Sequence, residues 1–354
     1  GPTGNHRLNC AIIGERQYRS GRSAFDAARP MTRAGVDAIV RYVDMSSVRI
    51  DGVDPVTMTL SPEEMFFRAM RHEAFDVCEL SLSSFVLRTA RGDCPYVGVP
   101  AFVSRAFRHT SIIVRRDSGI RSPVDLRGRR IGTPEWQLSA NVWTRAFLEE
   151  DHGVHARDIR WVRGGLEEPG RLEKLKVRLP EGVVVEDIGP GETLSGLLLA
   201  GAIDGFMGPR APLAFAGGHP DLRWLFDDPT EAAMDYYRRT KLFPIMHLIG
   251  VRRSIAEQHP WLPMALLKAF EQSKALALDH LNDTSATKVT LPFIEEQLAR
   301  TRDLMGADFW PYGLDANRHA LEKFTEYHHA QGISGRKVAV EELFHPGTIE
   351  GFKI

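Results

Sequence analysis

Two histidines occupy sequence positions that suit proton transfer. His109 directly follows Arg108, and His247 follows the apolar segment 244–246. Imidazole titrates near neutrality, so either ring could act as a general acid or as a general base. The adjacent Arg108 is expected to lower the pKa of His109 and to keep that ring neutral. Both histidines also have a structural interpretation, His247 as a hydrogen-bonded hinge residue and His109 as a strand-end residue.

Four arginines are candidates for holding a carboxylate. Arg105 and Arg108 lie three residues apart with Phe107 between them, a spacing that suits clamping a carboxylate beside an aromatic ring. Alternatively, one of the two only solvates a loop edge. Arg163 precedes a glycine pair and Arg210 follows a Gly-Pro pair, and both come after predicted strand ends, where open α/β sheets place ligands. Together these two could hold a dianion.

Three serines, Ser81, Ser83 and Ser84, follow a predicted strand and precede a predicted helix. Their hydroxyls and the free N–H groups of the first helical turn would form an anion site. The structural alternative is that one of these serines is only the N-cap of the helix. The segment therefore predicts either substrate binding or simple helix capping.

Glu135, Trp136 and Gln137 lie at the start of the next predicted helix, directly after a strand. This position would place them at the same ligand-binding edge, with Glu135 as a third acid or base and the other two in contact with substrate. Glu135 could equally be a first-turn acid favoured by the helix dipole.

Signals for metal or cofactor chemistry are weak in this sequence. There is no H-E-x-x-H motif, no phosphate-binding or dinucleotide-binding glycine fingerprint and no G-x-S-x-G elbow. His328 and His329 lie on a polar predicted helix, where we expect both to be solvated. No cofactor and no dedicated metal site are predicted, although His109, His247 and Glu135 could converge on a divalent ion.

Composition excludes several classes of protein. The chain has 354 residues and a net charge of −1, so it carries no bulk field that would attract nucleic acid or an anionic membrane surface. No apolar run approaches the roughly 18 residues of a membrane span. Its 3 cysteines cannot all pair, and no two have C-x-x-C spacing, which suits a reducing cytosol. We therefore expect a cytoplasmic protein with neither nucleic-acid nor membrane partners.

The elements that must position these residues alternate between strand and helix. Strands are expected over 8–14, 36–43, 75–80, 96–103, 110–115, 158–162, 183–188, 203–207 and 247–251. Ser61, Pro62 and the acids that follow predict a helix start, and a further helix is expected over 136–151. From Pro260 onward the pattern is almost wholly helical. This alternation predicts an α/β protein whose parallel sheets are connected by crossover helices.

Three motifs together resemble the bilobal, type II periplasmic-binding-protein fold. They are DLRGRRIG at 125–132, LAGAIDG at 199–205 and IAEQHP at 255–260. The resemblance implies two α/β lobes that face a ligand cleft, with the chain crossing between them twice. Lobe one would consist of residues 1–115 and 245–354, lobe two of residues 116–244, and the C-terminal region would be helical.

A second set of motifs resembles the 4,5-dihydroxyphthalate decarboxylase family from about residue 8 to the C-terminus. These motifs are PEEMFFR at 62–68, FDVCELSLSS at 75–84, FRH at 107–109, GGLEEPGR at 164–171, FPIMH at 243–247 and DFWPYGL at 308–314. The resemblance implies a cytosolic enzyme that removes one carboxylate from 4,5-dihydroxyphthalate to give protocatechuate, with a small aromatic dicarboxylate as its partner. A homo-oligomer stays open.

Two hypotheses follow from these observations. The first is a decarboxylase without a cofactor, in which His247 and His109 serve as acid and base in the interlobe cleft and the arginines grip the retained carboxylate. The second is a solute-binding protein of the same fold that captures an anion without chemistry.

Overall fold

The computed structural model describes residues 6–11, 50–58, 60–285, 289 and 291–349. The strand predicted over 36–43 lies outside these residues, as do the last three residues of the strand predicted over 8–14. Two β-sheets organise the described chain, and helices pack around them.

Eleven strands are described. They are β1 (His6–Ala11), β2 (Val53–Met58), β3 (Val77–Ser81), β4 (Tyr96–Arg105), β5 (Ile112–Arg115), β6 (Arg130–Thr133), β7 (Arg160–Arg163), β8 (Val184–Asp187), β9 (Gly205–Met207), β10 (Leu222–Trp224) and β11 (Ile245–Arg252).

Ten α-helices are described, and short 3₁₀ turns connect some of the elements. They are α1 (Pro62–His72), α2 (Leu82–Arg91), α3 (Ser139–His152), α4 (Leu194–Leu199), α5 (Leu213–Ala216), α6 (Pro229–Thr240), α7 (Arg253–Gln258), α8 (Leu262–Asn282), α9 (Ile294–Met305) and α10 (Arg318–Ala330).

Both sheets are mixed rather than wholly parallel. The first has the strand order β2-β1-β3-β11-β4, and the second has the order β10-β5-β9-β6-β7-β8. Within the first sheet, β11 runs antiparallel to β3 and to β4. Within the second, β5 runs antiparallel to β9 and to β10. The prediction of parallel sheets was wrong for β5 and β11, because these strands enter their sheets from the other sheet and not through a crossover helix.

The chain crosses between the sheets twice. It leaves the first sheet after Arg105, enters the second at Ile112, and returns between Trp224 and Ile245. β5 thus pairs in the second sheet although it precedes the predicted boundary at residue 115. The division into two lobes with the stated boundaries stays a prediction.

A local sequence signal explains where α1 begins, whereas the start of α3 differs from the local prediction. α1 begins as predicted, because the Ser61 hydroxyl accepts a hydrogen bond from the Glu64 N–H at 3.2 Å and Pro62 occupies the first turn. α3 was expected to begin near Trp136 but begins at Ser139. The Trp136 and Gln137 N–H groups instead donate to the Glu173 carboxylate, each at 3.0 Å.

Buried aromatic side chains tie the two sheets together. Trp136, Trp143 and Trp161 are fully buried, and rings of this size dominate the free energy gained by burial. The Trp143 indole N–H, on α3, donates to the Ile245 carbonyl of β11 at 2.9 Å. β11 is thereby fixed to α3, the helix that follows β6 of the second sheet. Among the helices described, none combines the length and apolarity that crossing a membrane requires.

Candidate functional site

Two helix N-termini, one from each sheet, meet through a set of buried side chains that we call the seam: Ser81, Ser83, Ser84, Gln137 and Ser139. The Ser81 and Ser139 hydroxyls lie 3.1 Å apart, and the Ser83 backbone N–H donates to the Ser139 hydroxyl at 3.0 Å. The Ser84 hydroxyl donates to the Gln137 side-chain oxygen at 3.0 Å. The seam therefore joins β3 and α2 to the start of α3 by direct hydrogen bonds.

The chain folds this way locally because β3 ends where α2 begins. Ser81 is both the last residue of β3 and the N-cap of α2, in extended conformation. Within the described part of the chain its hydroxyl makes no capping bond, so it is available to reach across to Ser139. The positive ends of α2 and α3 both point to this place, which favours negative charge there.

His247 lies beside the seam on β11, directly opposite Ser81 in the strand register. Its Nδ1 atom is 2.5 Å from the Glu79 Oε1 atom. The Phe66 ring packs against the imidazole edge to face, with centroids 4.8 Å apart. The side chain keeps 16% of its surface exposed, and its Nε2 atom has no hydrogen-bond partner among the residues described. His247 thus combines a fixed ring with one accessible nitrogen.

Sequence reasoning missed Glu79 as a site residue. Its side chain is 4% exposed and lies in the middle of β3, a strand whose five residues are all buried. The available signal was a single charged residue inside an otherwise buried strand, two positions before Ser81 and therefore on the same face.

A second missed contact lies behind the seam. The His328 Nε2 atom is 2.9 Å from the Ser83 hydroxyl and 3.1 Å from the Ser83 carbonyl. The prediction that His328 is solvated was wrong, because α10 packs this side chain against the start of α2 and leaves it fully buried. Burial lowers the pKa of His328 to about 3, so the ring is neutral at neutral pH and orders Ser83.

His109 lies in a different environment from the one predicted. It begins a 3₁₀ turn, is 3% exposed and stacks on Phe147 with ring centroids 4.5 Å apart. Phe226 and Tyr236 close the other sides of the ring. Burial lowers the pKa of His109 to about 4, so the predicted direction agrees but its cause is burial and not Arg108. This aromatic surrounding argues against a role in proton transfer.

Glu135 is buried in ion pairs. Its side chain accepts hydrogen bonds from the Arg171 guanidinium at 2.6 and 2.9 Å and lies 3.1 Å from the Lys174 Nζ atom. Burial would raise the pKa of the Glu135 carboxyl, but the charges of Lys174 and Arg171 outweigh it and hold that pKa below its usual value. The sequence predicts Glu135 as a third acid or base. Its geometry instead suits a role in positioning the 171–174 segment.

The predicted triad of His109, His247 and Glu135 does not share one set of contacts. Each has its own neighbours, namely aromatic rings, Glu79, and the Arg171 and Lys174 cations respectively. Among the described residues there is no group of three or more His, Cys, Asp or Glu side chains that could hold a metal ion.

Arg163, Trp136 and Gln137 together hold a carboxylate that belongs to the protein itself. Arg163 donates twice to Asp187, at 2.7 and 2.9 Å, and once to Glu173 at 3.0 Å. The hydrogen bonds to Asp187 have the largest effect on the pKa of Arg163 and raise it, and the contact with Glu173 raises it further. Glu173 also accepts the two backbone N–H groups that precede α3, as described above. This guanidinium is therefore committed to internal carboxylates and is not directed at a ligand.

Arg105 and Arg108 are both buried beside the first crossing. Arg105 donates to the carbonyls of Phe243 and Pro311, at 3.2 and 2.8 Å, and to the Asn317 side-chain oxygen. Arg105 is thus used to fix the crossing segments. The Arg108 Nε atom donates to the Met246 sulfur at 3.2 Å, which places Arg108 next to the strand that carries His247.

Arg210 is exposed and forms an ion pair between the two sheets. Its guanidinium is 3.1 Å from Glu63 on α1, and 67% of its side chain is exposed. We call Arg210 and Glu63 the latch.

The glycine pair after Arg163 is required by close packing. A Cβ atom on Gly164 would lie 2.1 Å from Ile188, and one on Gly165 would lie 1.7 Å from the Glu168 carbonyl oxygen. These contacts let the 164–171 segment fold back tightly, so that Arg171 reaches Glu135.

The structure therefore brings Ser81, Ser83, Ser84 and Gln137 together with His247. His109, Arg105 and Arg210 have other partners. Arg163 is linked to the seam through Glu173, which also accepts the Gln137 N–H group. Chemically, the seam places the Ser81 and Ser139 hydroxyls at two helix N-termini, a position that favours an anion, while the Gln137 side-chain amide donates to Glu135 at 3.3 Å. His247 offers an accessible imidazole nitrogen for proton transfer.

Comparison with known proteins adds relatives to this geometry. A family model described as ABC transporter, phosphonate, periplasmic substrate-binding protein matches residues 49–168. A protein from Comamonas testosteroni named 4,5-dihydroxyphthalate decarboxylase is 60% identical over 307 residues, which cover 87% of this chain and 93% of that one. A protein of the same name from Pseudomonas putida is 59% identical over 199 residues, covering 56% and 77% of the two chains.

Among solved structures, the alkanesulfonate-binding protein SsuA from Xanthomonas axonopodis pv. citri, bound to MOPS, is similar in fold. Its TM-score is 0.51 at 13% identity, and the match covers 96% of this chain and 97% of that one. This likeness concerns the fold alone and confirms the predicted periplasmic-binding-protein-like architecture.

Proposed function

The chain belongs to the 4,5-dihydroxyphthalate decarboxylase family, and on that premise we propose that it converts 4,5-dihydroxyphthalate to protocatechuate and carbon dioxide. It is a carboxy-lyase with the fold of a binding protein. Membership in the family is the observation that carries the activity. The arrangement of His247 and the seam supports the way in which we propose the reaction proceeds.

The reaction needs a proton at the ring carbon that bears the leaving carboxylate. In 4,5-dihydroxyphthalate each hydroxyl is para to one of the two carboxylates, so loss of its proton to solvent pushes electron density to that carbon, and the hydroxyl regains a proton from solvent once the ring is aromatic again. The carbon then takes a proton, the bond to the carboxylate breaks, and its electron pair returns to the ring as carbon dioxide leaves. A positioned proton donor typically contributes about 10²–10⁴-fold to such a step.

We assign this donor to His247. Its Nε2 atom, protonated, gives the proton to the ring carbon and afterwards takes another from solvent. The support is positional, because His247 is a predicted acid or base that the structure places beside the seam with an accessible ring nitrogen. His109, with its ring enclosed by aromatic side chains, has no part in this proposal.

The carboxylate that stays on the ring is proposed to bind at the seam. There the Ser81 and Ser139 hydroxyls, now 3.1 Å apart, would turn from each other to substrate oxygens. The N-termini of α2 and α3 add favourable dipoles at no cost in side-chain entropy. Arg108 is the predicted cation that best fits a supporting role, because it contacts the residue next to His247.

Turnover of the substrate tests the proposal directly. Purified protein is incubated with 4,5-dihydroxyphthalate while product absorbance and released carbon dioxide are followed. We expect one carbon dioxide per protocatechuate. Phthalate serves as the matched control compound, since without hydroxyls it cannot push electron density to the carboxylate-bearing carbon and should not react. Tight binding of 4,5-dihydroxyphthalate without turnover would instead indicate the solute-binding alternative. A cytoplasmic location stays a prediction.

A further inference from the structure

We propose that Glu79 is a positioning residue for decarboxylation, which holds the Nδ1–H group of His247 and thereby commits Nε2 to the proton transfer. The inference rests on the proposed function, because it refines the role assigned there to His247. None of the predictions made from the sequence motifs assigns a role to Glu79.

The geometry of the pair is fixed by the sheet. Glu79 and His247 lie on the adjacent antiparallel strands β3 and β11, where His247 pairs with Ser81 and Glu79 pairs with Ile249. The two residues are thus diagonal neighbours on one face, a separation that long side chains span. Both strands are interior strands of the first sheet, so the Nδ1 to Oε1 distance of 2.5 Å joins two rigid segments.

The chemistry of the pair selects one tautomer. An ionised carboxylate only accepts hydrogen bonds, so beside an ionised Glu79 the Nδ1 atom carries the hydrogen. In the neutral ring, Nε2 is then the basic atom, and in the charged ring it carries the transferable proton. The packing of Phe66 against the ring restricts its rotation, so Nε2 keeps one direction. Without Glu79, the neutral ring could take either tautomer.

Burial makes this contact matter. Glu79 is 3% exposed, and its second oxygen, Oε2, has no hydrogen-bond partner within the described part of the chain. Within the described structure, the hydrogen bond to His247 is therefore the one side-chain hydrogen bond that the Glu79 carboxylate makes. A buried carboxylate beside an imidazole also stabilises the ring while it is positively charged.

The first test reads the tautomer of the wild-type protein. Histidine is labelled with ¹⁵N, and His247 is identified among the 13 histidines as the signal that is missing in the His247→Asn variant. We expect the shift pattern of an Nδ1–H tautomer for the neutral ring. An Nε2–H tautomer in the wild-type protein would overturn the proposal without any need for a Glu79 variant.

The second test is Glu79→Gln, which keeps the shape of the side chain. The amide can donate to Nδ1, so we expect a shift toward the Nε2–H tautomer. We expect kcat to fall about 10- to 100-fold, as when the partner that orients a functional histidine is removed, while KM stays within about 3-fold. Glu79→Asp, which keeps the charge, should restore part of kcat. Wild-type kcat in Glu79→Gln would overturn the proposal.

Asp76→Asn is the matched control. Asp76 directly precedes β3, and its carboxylate lies 3.4 Å from Arg252, which is five residues along β11 from His247. This variant therefore weakens a carboxylate contact at the other end of β11. Its kcat should be unchanged, and an equal loss would mean that Glu79 acts only through general stability. If His247→Asn itself keeps wild-type turnover, the proposed proton transfer fails. If only Glu79→Gln keeps it, the positioning role fails alone.

Discussion

The surroundings of His247 and His109 differ although the sequence suggested the same chemistry for both. His247 lies on a strand, faces a buried carboxylate at 2.5 Å and keeps part of its ring exposed. His109 lies in a 3₁₀ turn, stacked on Phe147 with the two ring planes 11° apart, and is almost fully buried. The surroundings of His247 hold its ring in one orientation, which suits the proposed proton transfer. The surroundings of His109 pack its ring against other aromatic rings.

The difference separates an imidazole that suits the proposed proton transfer from one that is packed among aromatic rings. A polar partner on one nitrogen and access to the other define a proton path, and of these two histidines His247 has both. Burial lowers the pKa of His109 to about 4, so its ring is neutral at neutral pH. Its Nδ1 atom has no hydrogen-bond partner in the described structure. Such a ring contributes to stability through packing.

The largest expected effect is the loss of turnover in His247→Asn. The asparagine amide can replace the Nδ1–H donor to Glu79 but leaves nothing at the position of Nε2. We therefore expect kcat to fall about 10²–10⁴-fold with substrate affinity nearly unchanged, as measured by steady-state kinetics and by quenching of tryptophan fluorescence. His109→Phe is the paired control and should keep kcat within about 3-fold. A comparable loss in His109→Phe would break the contrast between the two histidines.

The next effect is on stability, and here we expect the larger loss in the His109 variant and the smaller loss in the His247 variant. His109→Ala removes a ring that packs on Phe147, Phe226 and Tyr236, and we expect a cost of about 2–4 kcal/mol from the cavity and the lost contacts. His247→Asn keeps its hydrogen bond to Glu79 and should cost less than about 1 kcal/mol. Urea unfolding of both variants measures this. Equal costs would show that His247 is as much a packing residue as His109.

The sequence was informative where signals are local. The Ser61 cap, the serines at the junction of β3 and α2, and the alternation of strands and helices depend on neighbouring residues, and the structure contains them. Family resemblance supplied the two-sheet architecture. The antiparallel direction of β5 and β11 was not predicted, because it depends on the route of the chain between the sheets and not on any local pattern.

The partners of the site residues could not be read from the sequence. Glu79 and His247 are 168 residues apart, and their contact requires β11 to insert between β3 and β4. The sequence predicts Ser139 inside a helix that begins near Trp136. In the structure α3 begins at Ser139, three residues later, and the Ser139 hydroxyl belongs to the seam. The sequence predicts Arg163 as a substrate ligand, because nothing local shows that its guanidinium pairs with Asp187 and Glu173.

The pH dependence of stability sharpens the comparison further. The folded pKa of His109, about 4, lies below the unfolded value of about 6.5, so the unfolded chain binds more protons between these values and stability falls as the pH drops through this window. From pH 6.5 to pH 5, His109 should cost about 2 kcal/mol. His328, with a folded pKa of about 3, adds a similar loss.

Urea unfolding at pH 7 and pH 5 measures this loss. His109→Phe removes one titrating group and should lose about 2 kcal/mol less than the wild type over the same interval, while His328 still contributes in both proteins. An identical loss in the two proteins would mean that His109 is hydrated and not enclosed by its aromatic neighbours.

The smallest effect is expected at the latch, where Arg210 was predicted to bind substrate but pairs with Glu63 in the structure. An exposed ion pair contributes about 1 kcal/mol at most, so Arg210→Ala should change KM less than about 5-fold. If Arg210 acts only through the latch, Glu63→Gln should produce the same change, and the double variant should add nothing, because either substitution already removes the contact. If Arg210 instead grips a carboxylate, KM should rise more than 10-fold in Arg210→Ala alone and fall or stay constant in Glu63→Gln, which frees the guanidinium. The ratio of these two KM values therefore decides whether the Arg210 cation serves the ion pair with Glu63 or binds the substrate carboxylate.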